Sequence, residues 1–190
     1  VLADLRRRGA AVSARKPAQS FAPDADEPTD AQVLASASGE RSTQVVPEHR
    51  SYPVALAPPM AAARLGWPAP LQAQLLDELR WTLECDLGWL ETVGGVRSPI
   101  AADADSLALV DSVVPDRVVL VGDSSLGAIG AVMSALDSLS LGSAHSCPQP
   151  TLAARTMVFL NRFDPADPTH AENRSWLSER LTQPIHTEGT

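Results

Sequence analysis

Four turns hold residues whose types and spacing could do chemistry, and each follows a short apolar run. They are Lys16-Pro17 with Gln19-Ser20 close behind, Glu91 ahead of Gly94-Gly95, Gly122-Asp123-Ser124, and Asn161. A cation, a carboxylate, a flexible glycine pair and an amide along one edge of a sheet suit a nucleotide with Mg²⁺. A carboxylate is a hard oxygen ligand for such a metal. Lysine neutralises charge that builds on a transferred phosphoryl group. An amide both donates and accepts hydrogen bonds, which fits the edge of a base.

The stretch "RVVLVGDSSLGAIG" (117–130) admits other chemistry. A serine at the end of a strand becomes a nucleophile when a base stands near it. The run "DPTH" supplies Asp167 and His170 at Asp-x-x-His spacing, and Ser124, Asp167 and His170 together resemble the pattern of GDS-type serine esterases. Against this, three strand-like segments precede Ser124. The stretch from Ser124 to His170 is too short for the rest of a sheet, and it carries no Gly and Asn blocks for an oxyanion hole. Tested as a Walker A loop, G-x-x-x-x-G-K-[ST], the same stretch has Gly122 and Gly127 in place. Ala128 and Ile129 stand where Lys and Ser/Thr belong, so it fails as a phosphate grip.

Composition narrows the partners. The chain has 190 residues, 44 % of them hydrophobic, and a net charge of -8. No basic stripe is present, which argues against nucleic acid. No apolar run approaches the ~20 residues that span a bilayer. Cys85 and Cys147 lie far apart without metal-ligand spacing and read as free thiols of a reducing cytosol. The chain opens on Val1 with a helix that nothing caps, so the expectation is a chain lacking its true N-terminus.

Short apolar runs alternate with helix-period runs, the pattern of an α/β fold with a parallel sheet in a single domain over 1–190. Helices are expected at 1–8, 29–38, 59–65, 69–83, 126–140 and 170–181. In 69–83 the residues Leu71, Leu75, Leu79 and Leu83 recur every four positions as one apolar face. A further helix begins near Ser106, with Asp103 and Asp105 facing solvent or capping it. Strands are expected at 11–15, 87–90, 118–121, 156–160 and 185–186, and loops at 21–28 and 142–150, the latter with His145 and Cys147. Ligands of open α/β sheets bind beyond the carboxyl ends of the strands, which is where the four turns fall. His49, His145 and His186 show no partner pattern and read as surface residues, and Trp67, Trp81, Trp89 and Trp176 as core or interface.

Taken in order, the stretches "ARKPAQS" (14–20), "TDAQVLASASG" (29–39), "LAPPMAA" (56–62), "LETVGGVRSPI" (90–100), "VVLVGDSSLGAIGAV" (118–132) and "VFLNRFDPADPTHAENRSWL" (158–177) resemble the dethiobiotin synthetases. The resemblance implies a three-layer P-loop NTPase-like fold, Rossmann-like, with a mostly parallel sheet and helices on both faces. It implies an ATP- and Mg²⁺-dependent ligase that closes a ureido ring from 7,8-diaminononanoate and CO₂, in the cytoplasm, as a homodimer. By resemblance Lys16 would stabilise the carbamate and the travelling γ-phosphoryl group, and Ser20 would hydrogen-bond the diamine or carbamate. Asp30 and Glu91 would hold Mg²⁺, with Glu91 beside the nucleotide. Gly94 and Gly95 would bring backbone N–H groups to the substrate or phosphates, and Asn161 would recognise adenine. Plainer roles stand beside these: a solvated strand-end lysine for Lys16, a helix cap or first-turn acid for Asp30, a turn cap for Asn161. The family's Gly-rich Lys-Thr loop is expected directly upstream of Val1. Residues 1–190 alone are therefore expected to be inactive and, with a gap in the sheet, of low stability. A non-catalytic nucleotide-fold module is the alternative from another class.

Overall fold

In the computed structural model, residues 1–82, 84–141 and 150–188 are described. The expected α/β class is borne out: helices alternate with short strands, and every ladder between named strands among the described residues is parallel. The strands form three separate ladders rather than one continuous sheet. By internal contacts the chain divides into two units, Val1–Leu109 and Val110–Thr190.

The first unit runs through α1 (Leu2–Arg7), β1 (Val12–Arg15), β2 (Gln19–Ser20), α2 (Asp30–Ser38), α3 (Ser42–Val45), a 3-10 turn (Glu48–Arg50), β3 (Ser51–Tyr52), α4 (Pro58–Leu65), α5 (Gln72–Glu78) and β4 (Leu87–Leu90) into α6 (Ser106–Val113). β1 pairs with β4 from Val12↔Leu87 to Arg15↔Leu90, and β2 pairs with β3 through Gln19↔Ser51 and Ser20↔Tyr52. All four β1 residues are buried. Val12 and Ala14 pack with Leu2, Ala31, Leu34, Ala35, Val45 and Val46 of α1, α2 and the α3 segment. A second cluster joins Ala18 and Tyr52 to Ala61 and Ala62 of α4. A third joins Leu75 of α5 to Ile100, Ala101 and Leu109.

Burying β1 also buries Ser13 and Arg15, whose polar groups need partners. Glu40, just past α2, supplies them. Its carboxylate accepts from Ser13 Oγ at 2.9 Å, Ala14 N at 2.7 Å, Arg15 Nη1 at 2.8 Å and Thr82 Oγ1 at 2.9 Å. The Arg15 and Glu40 side chains are only 8 % and 10 % exposed. Arg15 Nε also donates to the Arg80 carbonyl, and its guanidinium lies over the Trp81 ring at 5.8 Å.

This network explains a difference from the expected helix 69–83, which forms only as α5. Leu79 leaves the helix with ψ 105°, because Arg80 and Thr82 are taken up by Arg15 and Glu40. Of the leucine face, Leu75 is fully buried, Leu71 precedes the helix and is exposed, and Leu83 lies outside the described residues.

The second unit continues through β5 (Val118–Asp123), α7 (Ala128–Leu141), a 3-10 turn (Ala153–Arg155), β6 (Thr156–Asn161), α8 (Pro168–Arg180) and β7 (Ile185–Thr187). The strand order is β5-β6-β7. Val132, Leu136 and Leu139 of α7, Val158 and Leu160 of β6, and Leu177 of α8 are buried. α7 passes so close to β5 that a Cβ on Gly122 would stand 3.1 Å from Val132 Cγ2, so glycine suits that position. Asp167 caps α8, accepting from Thr169 N at 2.8 Å, and Pro168 takes the first helical position. The expected loop at 142–150, with His145 and Cys147, lies outside the described residues apart from Pro150. Among the described residues no helix is long and apolar enough to cross a membrane.

Burial raises the Glu40 pKa, but the Ala14 amide and the Arg15, Ser13 and Thr82 side chains outweigh it and bring the group from 4.5 down to about 2. A pKa depressed on folding stabilises above the unfolded value and loses that contribution as pH falls toward the folded one. Stability in urea is therefore expected to drop between pH 4.5 and about 2. Glu40→Gln should be less stable at pH 7 by roughly 2 kcal/mol, and its stability should change less across that acid window.

Candidate functional site

The parallel register of β1 and β4 pairs Arg15 with Leu90, so the next residues, Lys16 and Glu91, leave the two strands side by side. Backbone bonds fix both: Glu91 N donates to the Arg15 carbonyl at 2.9 Å, and Lys16 N to the Val45 carbonyl at 3.0 Å. Lys16 Nζ then lies 2.6 Å from Glu91 Oε1 and 2.8 Å from Asp30 Oδ2, and donates to the Thr92 carbonyl at 3.3 Å. The Lys16 side chain is 5 % exposed, whereas those of Asp30 and Glu91 are 53 % and 41 % exposed. A buried ammonium requires such partners, and two of them leave the trio one negative charge in excess.

Asp30 stands at the first residue of α2. Thr29, not Asp30, is the N-cap, and it forms a reciprocal capping box with Gln32. The Asp30 carboxylate is thereby free to reach Lys16, and the first-turn acid and the ion-pair partner are one residue. Glu91 leads into the glycine turn. Gly94 has φ +66°, and a Cβ there would come within 2.5 Å of Ser98 Oγ. Gly95 N donates to that same Ser98 Oγ at 2.9 Å, so the Gly95 amide is engaged inside the turn. Ser106, opening α6, fixes the turn further: its Oγ donates to the Val93 carbonyl at 3.2 Å and its N to the Ser98 carbonyl at 2.9 Å. Sequence reasoning misses Ser98 and Ser106; the signal it offers is a serine four residues after Gly94.

Ser20 sits on β2 opposite Tyr52 and is partly exposed. Asn161 ends β6 in the second unit, in register with Asp123. The fold thus brings Lys16, Asp30, Glu91 and the Gly94-Gly95 turn together within the first unit, with Ser20 on the next strand of the chain. Asn161 belongs to the other unit.

Asp30 and Glu91 fit a hard divalent cation. Both are oxygen donors, both reach solvent, and both already converge within 3 Å of one positive atom, the Lys16 ammonium. Among the described residues no group of three or more His, Cys, Asp and Glu side chains could hold a metal. Two carboxylates completed by water and ligand oxygens is the arrangement Mg²⁺ accepts.

The Gly122-Asp123-Ser124 turn is built differently. Ser124 is fully buried and its Oγ donates to the Asn161 carbonyl at 2.8 Å, tying the end of β5 to the end of β6. Asn173 Nδ2 of α8 donates to the Ser124 and Ser125 carbonyls, both at 3.0 Å. Asp123 accepts from Ser125, whose hydroxyl and amide hold its carboxyl below the usual range. Asp167 is committed to the α8 cap, and the Thr169 amide lowers its pKa. His170 Nδ1 accepts from Asp164 N at 3.0 Å, which leaves the proton of the neutral ring on Nε2. The Ser124 hydroxyl is thus spent on the Asn161 carbonyl and His170 Nδ1 on a backbone amide, an arrangement that does not serve a serine nucleophile. The expected Walker A failure also has a local form: Ala128 and Ile129 open α7.

No protein-family model matches the chain. It is 37 % identical over 174 residues to the ATP-dependent dethiobiotin synthetase BioD of Phenylobacterium zucineum (strain HLK1), covering 88 % of this chain and 70 % of that protein. It is 32 % identical over 156 residues to the ATP-dependent dethiobiotin synthetase BioD of Methylobacterium nodulans (strain LMG 21967 / CNCM I-2342 / ORS 2060), covering 71 % of this chain and 64 % of that protein.

Ser124 is expected to act as scaffold. Ser124→Ala should lower stability by about 1 kcal/mol, read as a shift of the urea midpoint. A fluorophosphonate probe should leave Ser124 unlabelled; a covalent adduct there, detected by mass spectrometry, would contradict the scaffold role.

Proposed function

Because the chain belongs to the dethiobiotin synthetase family, we propose that the protein is an ATP-dependent ligase of biotin biosynthesis that closes a ureido ring, taking 7,8-diaminononanoate, CO₂ and ATP to dethiobiotin, ADP and phosphate. The observation that carries this reading is the buried Lys16 ammonium between two solvent-reaching carboxylates at the carboxyl ends of parallel strands.

One amine nitrogen of the diamine bonds to the carbon of CO₂ and releases a proton, giving a carbamate. A carbamate oxygen then bonds to the γ-phosphorus as the bond to the β,γ-bridging oxygen breaks and ADP leaves. The second amine bonds to the carbonyl carbon, loses its proton, and the C–O bond to phosphate breaks as the ring closes. Each of these stages gathers negative charge on oxygen, and a fixed cation stabilises it most where water is excluded. Lys16 suits that role, being buried, paired with two carboxylates and anchored through its backbone to Val45. Asp30 and Glu91 reach solvent, so they can turn from Nζ and leave the ammonium to face an anionic ligand.

Mg²⁺, when bound, would neutralise and orient phosphate oxygens, and Asp30 and Glu91 are the residues that would hold it. Ser20 would hydrogen-bond the diamine or carbamate. Gly94 would bring backbone close to the ligand. Gly95, whose amide Ser98 engages, would act by shaping the turn. Asn161 would read adenine. A cytoplasmic homodimer belongs to the same reading. The 190 residues contain no G-x-x-x-x-G-K-[ST] run, and this favours, as the second reading, a nucleotide-fold module without catalysis.

The gene that encodes this chain is expected to restore growth of a biotin auxotroph lacking dethiobiotin synthetase, and Lys16→Ala to abolish that growth. In the purified protein Lys16→Ala should lower kcat on the order of 10²–10³-fold, measured as ADP release dependent on the diamine. A well-expressed, folded gene product that fails to complement would replace the ligase by the module.

A further inference from the structure

Gln19 is buried, with 5 % of its surface exposed, although its amide could be satisfied by water at a strand edge. It makes two well-formed bonds to two different elements. Nε2 donates to Ser51 Oγ on β3 at 2.7 Å, and Oε1 accepts from the Ala31 backbone N–H at 2.9 Å. Ala31 is the second residue of α2, so this N–H is one of the four that no helix can satisfy internally. Thr29 serves the Gln32 amide in the capping box, and Gln19 serves the Ala31 amide next to it. One side chain therefore clamps three elements: β2, β3 and the first turn of α2.

The clamp lies at both ends of the carboxylate–lysine cluster. Gln19 follows Lys16 by three residues, and Ala31 follows Asp30 by one. The gap between Lys16 Nζ and Asp30 Oδ2, 2.8 Å, spans two segments separated by the irregular stretch 21–28, which carries little regular structure of its own. Gln19 is the residue of β2 whose side chain bonds the α2 backbone across that stretch.

We infer that Gln19 is a positioning residue: by holding the first turn of α2 it sets where the Asp30 carboxylate stands beside Lys16 and Glu91, and so sets the affinity of this cluster for a divalent cation. This rests on reading Asp30 and Glu91 as the metal-holding pair. Side chains that orient ligands from behind typically govern metal affinity by about 10–100-fold.

Titration of the protein with Mn²⁺ alone, following free Mn²⁺ by electron paramagnetic resonance, tests the inference without turnover. Gln19→Ala is expected to weaken Mn²⁺ binding about tenfold or more while the circular dichroism spectrum stays that of the parent. Gln19→Glu keeps an oxygen to accept the Ala31 N–H and is expected to bind Mn²⁺ at least as tightly as the parent, which a purely structural role for the glutamine would not produce. A folded Gln19→Ala that binds Mn²⁺ as the parent does overturns the inference, and so does a Gln19→Glu as weak as Gln19→Ala. Should Gln19→Ala not fold, Ser51→Ala frees the far end of the amide and must weaken Mn²⁺ binding in the same direction, or the inference fails. Asp30→Asn separates the two readings. Mn²⁺ affinity unchanged by Asp30→Asn removes the metal-holding pair itself, whereas affinity lost in Asp30→Asn and kept in Gln19→Ala removes only the role of Gln19.

Discussion

The first unit depends on one carboxylate. Glu40 takes four hydrogen bonds from β1 and from the segment ahead of β4, and it neutralises a buried guanidinium. Without it the Ala14 amide would lose its side-chain acceptor and the buried Arg15 guanidinium its counter-charge, a cost that hydrophobic packing of β1 could not remove. The same carboxylate decides where α5 ends, because Thr82 and Arg80 are drawn to it and to Arg15. It also fixes the end of β1, and Lys16 is the next residue. Lys16 thus inherits its position from the buried ion pair of the residue before it.

Two acid–base clusters sit one residue apart and differ in exposure. Arg15 with Glu40 is sealed, and both Glu40 oxygens are bonded inside the protein. Lys16 with Asp30 and Glu91 is buried only on the cationic side, while both acids open to solvent. A sealed pair resists rearrangement, since exposing either member costs its whole network. An open pair can exchange one carboxylate for another anionic partner, because water solvates the acid that turns away while the buried ammonium keeps a counter-charge. The strand holds its structural charge inward and its exchangeable charge at the rim.

The turn after β5 illustrates how far local sequence resembles chemistry without providing it. Gly122 makes room for Val132 of α7, Ser124 ties β5 to β6, and Asn173 holds the turn from α8. These polar groups are consumed in joining strands and helices, which is what a buried turn requires. The Asp-x-x-His run is likewise a helix start, with Asp167 as cap and His170 receiving a backbone amide.

The sequence alone determined the α/β alternation, the strand-end places of Lys16, Glu91 and Asn161, and a helix beginning near Thr29. These follow from local physics: apolar periodicity, capping chemistry and the period of a strand act over a few residues. The early end of α5, the roles of Glu40, Gln19, Ser98 and Ser106, and the burial of Ser124 were decided only by the tertiary structure. In most of these cases a side chain meets a partner far away in the chain, as Ser13 meets Thr82 and Gln19 meets Ala31. The helical pattern through Leu79 was sound as periodicity, but the bonds offered by Arg15 and Glu40 outweighed one further turn of helix. What a residue could do was written in its type and spacing; whether it was free to do so depended on which distant groups had already claimed its hydrogen bonds.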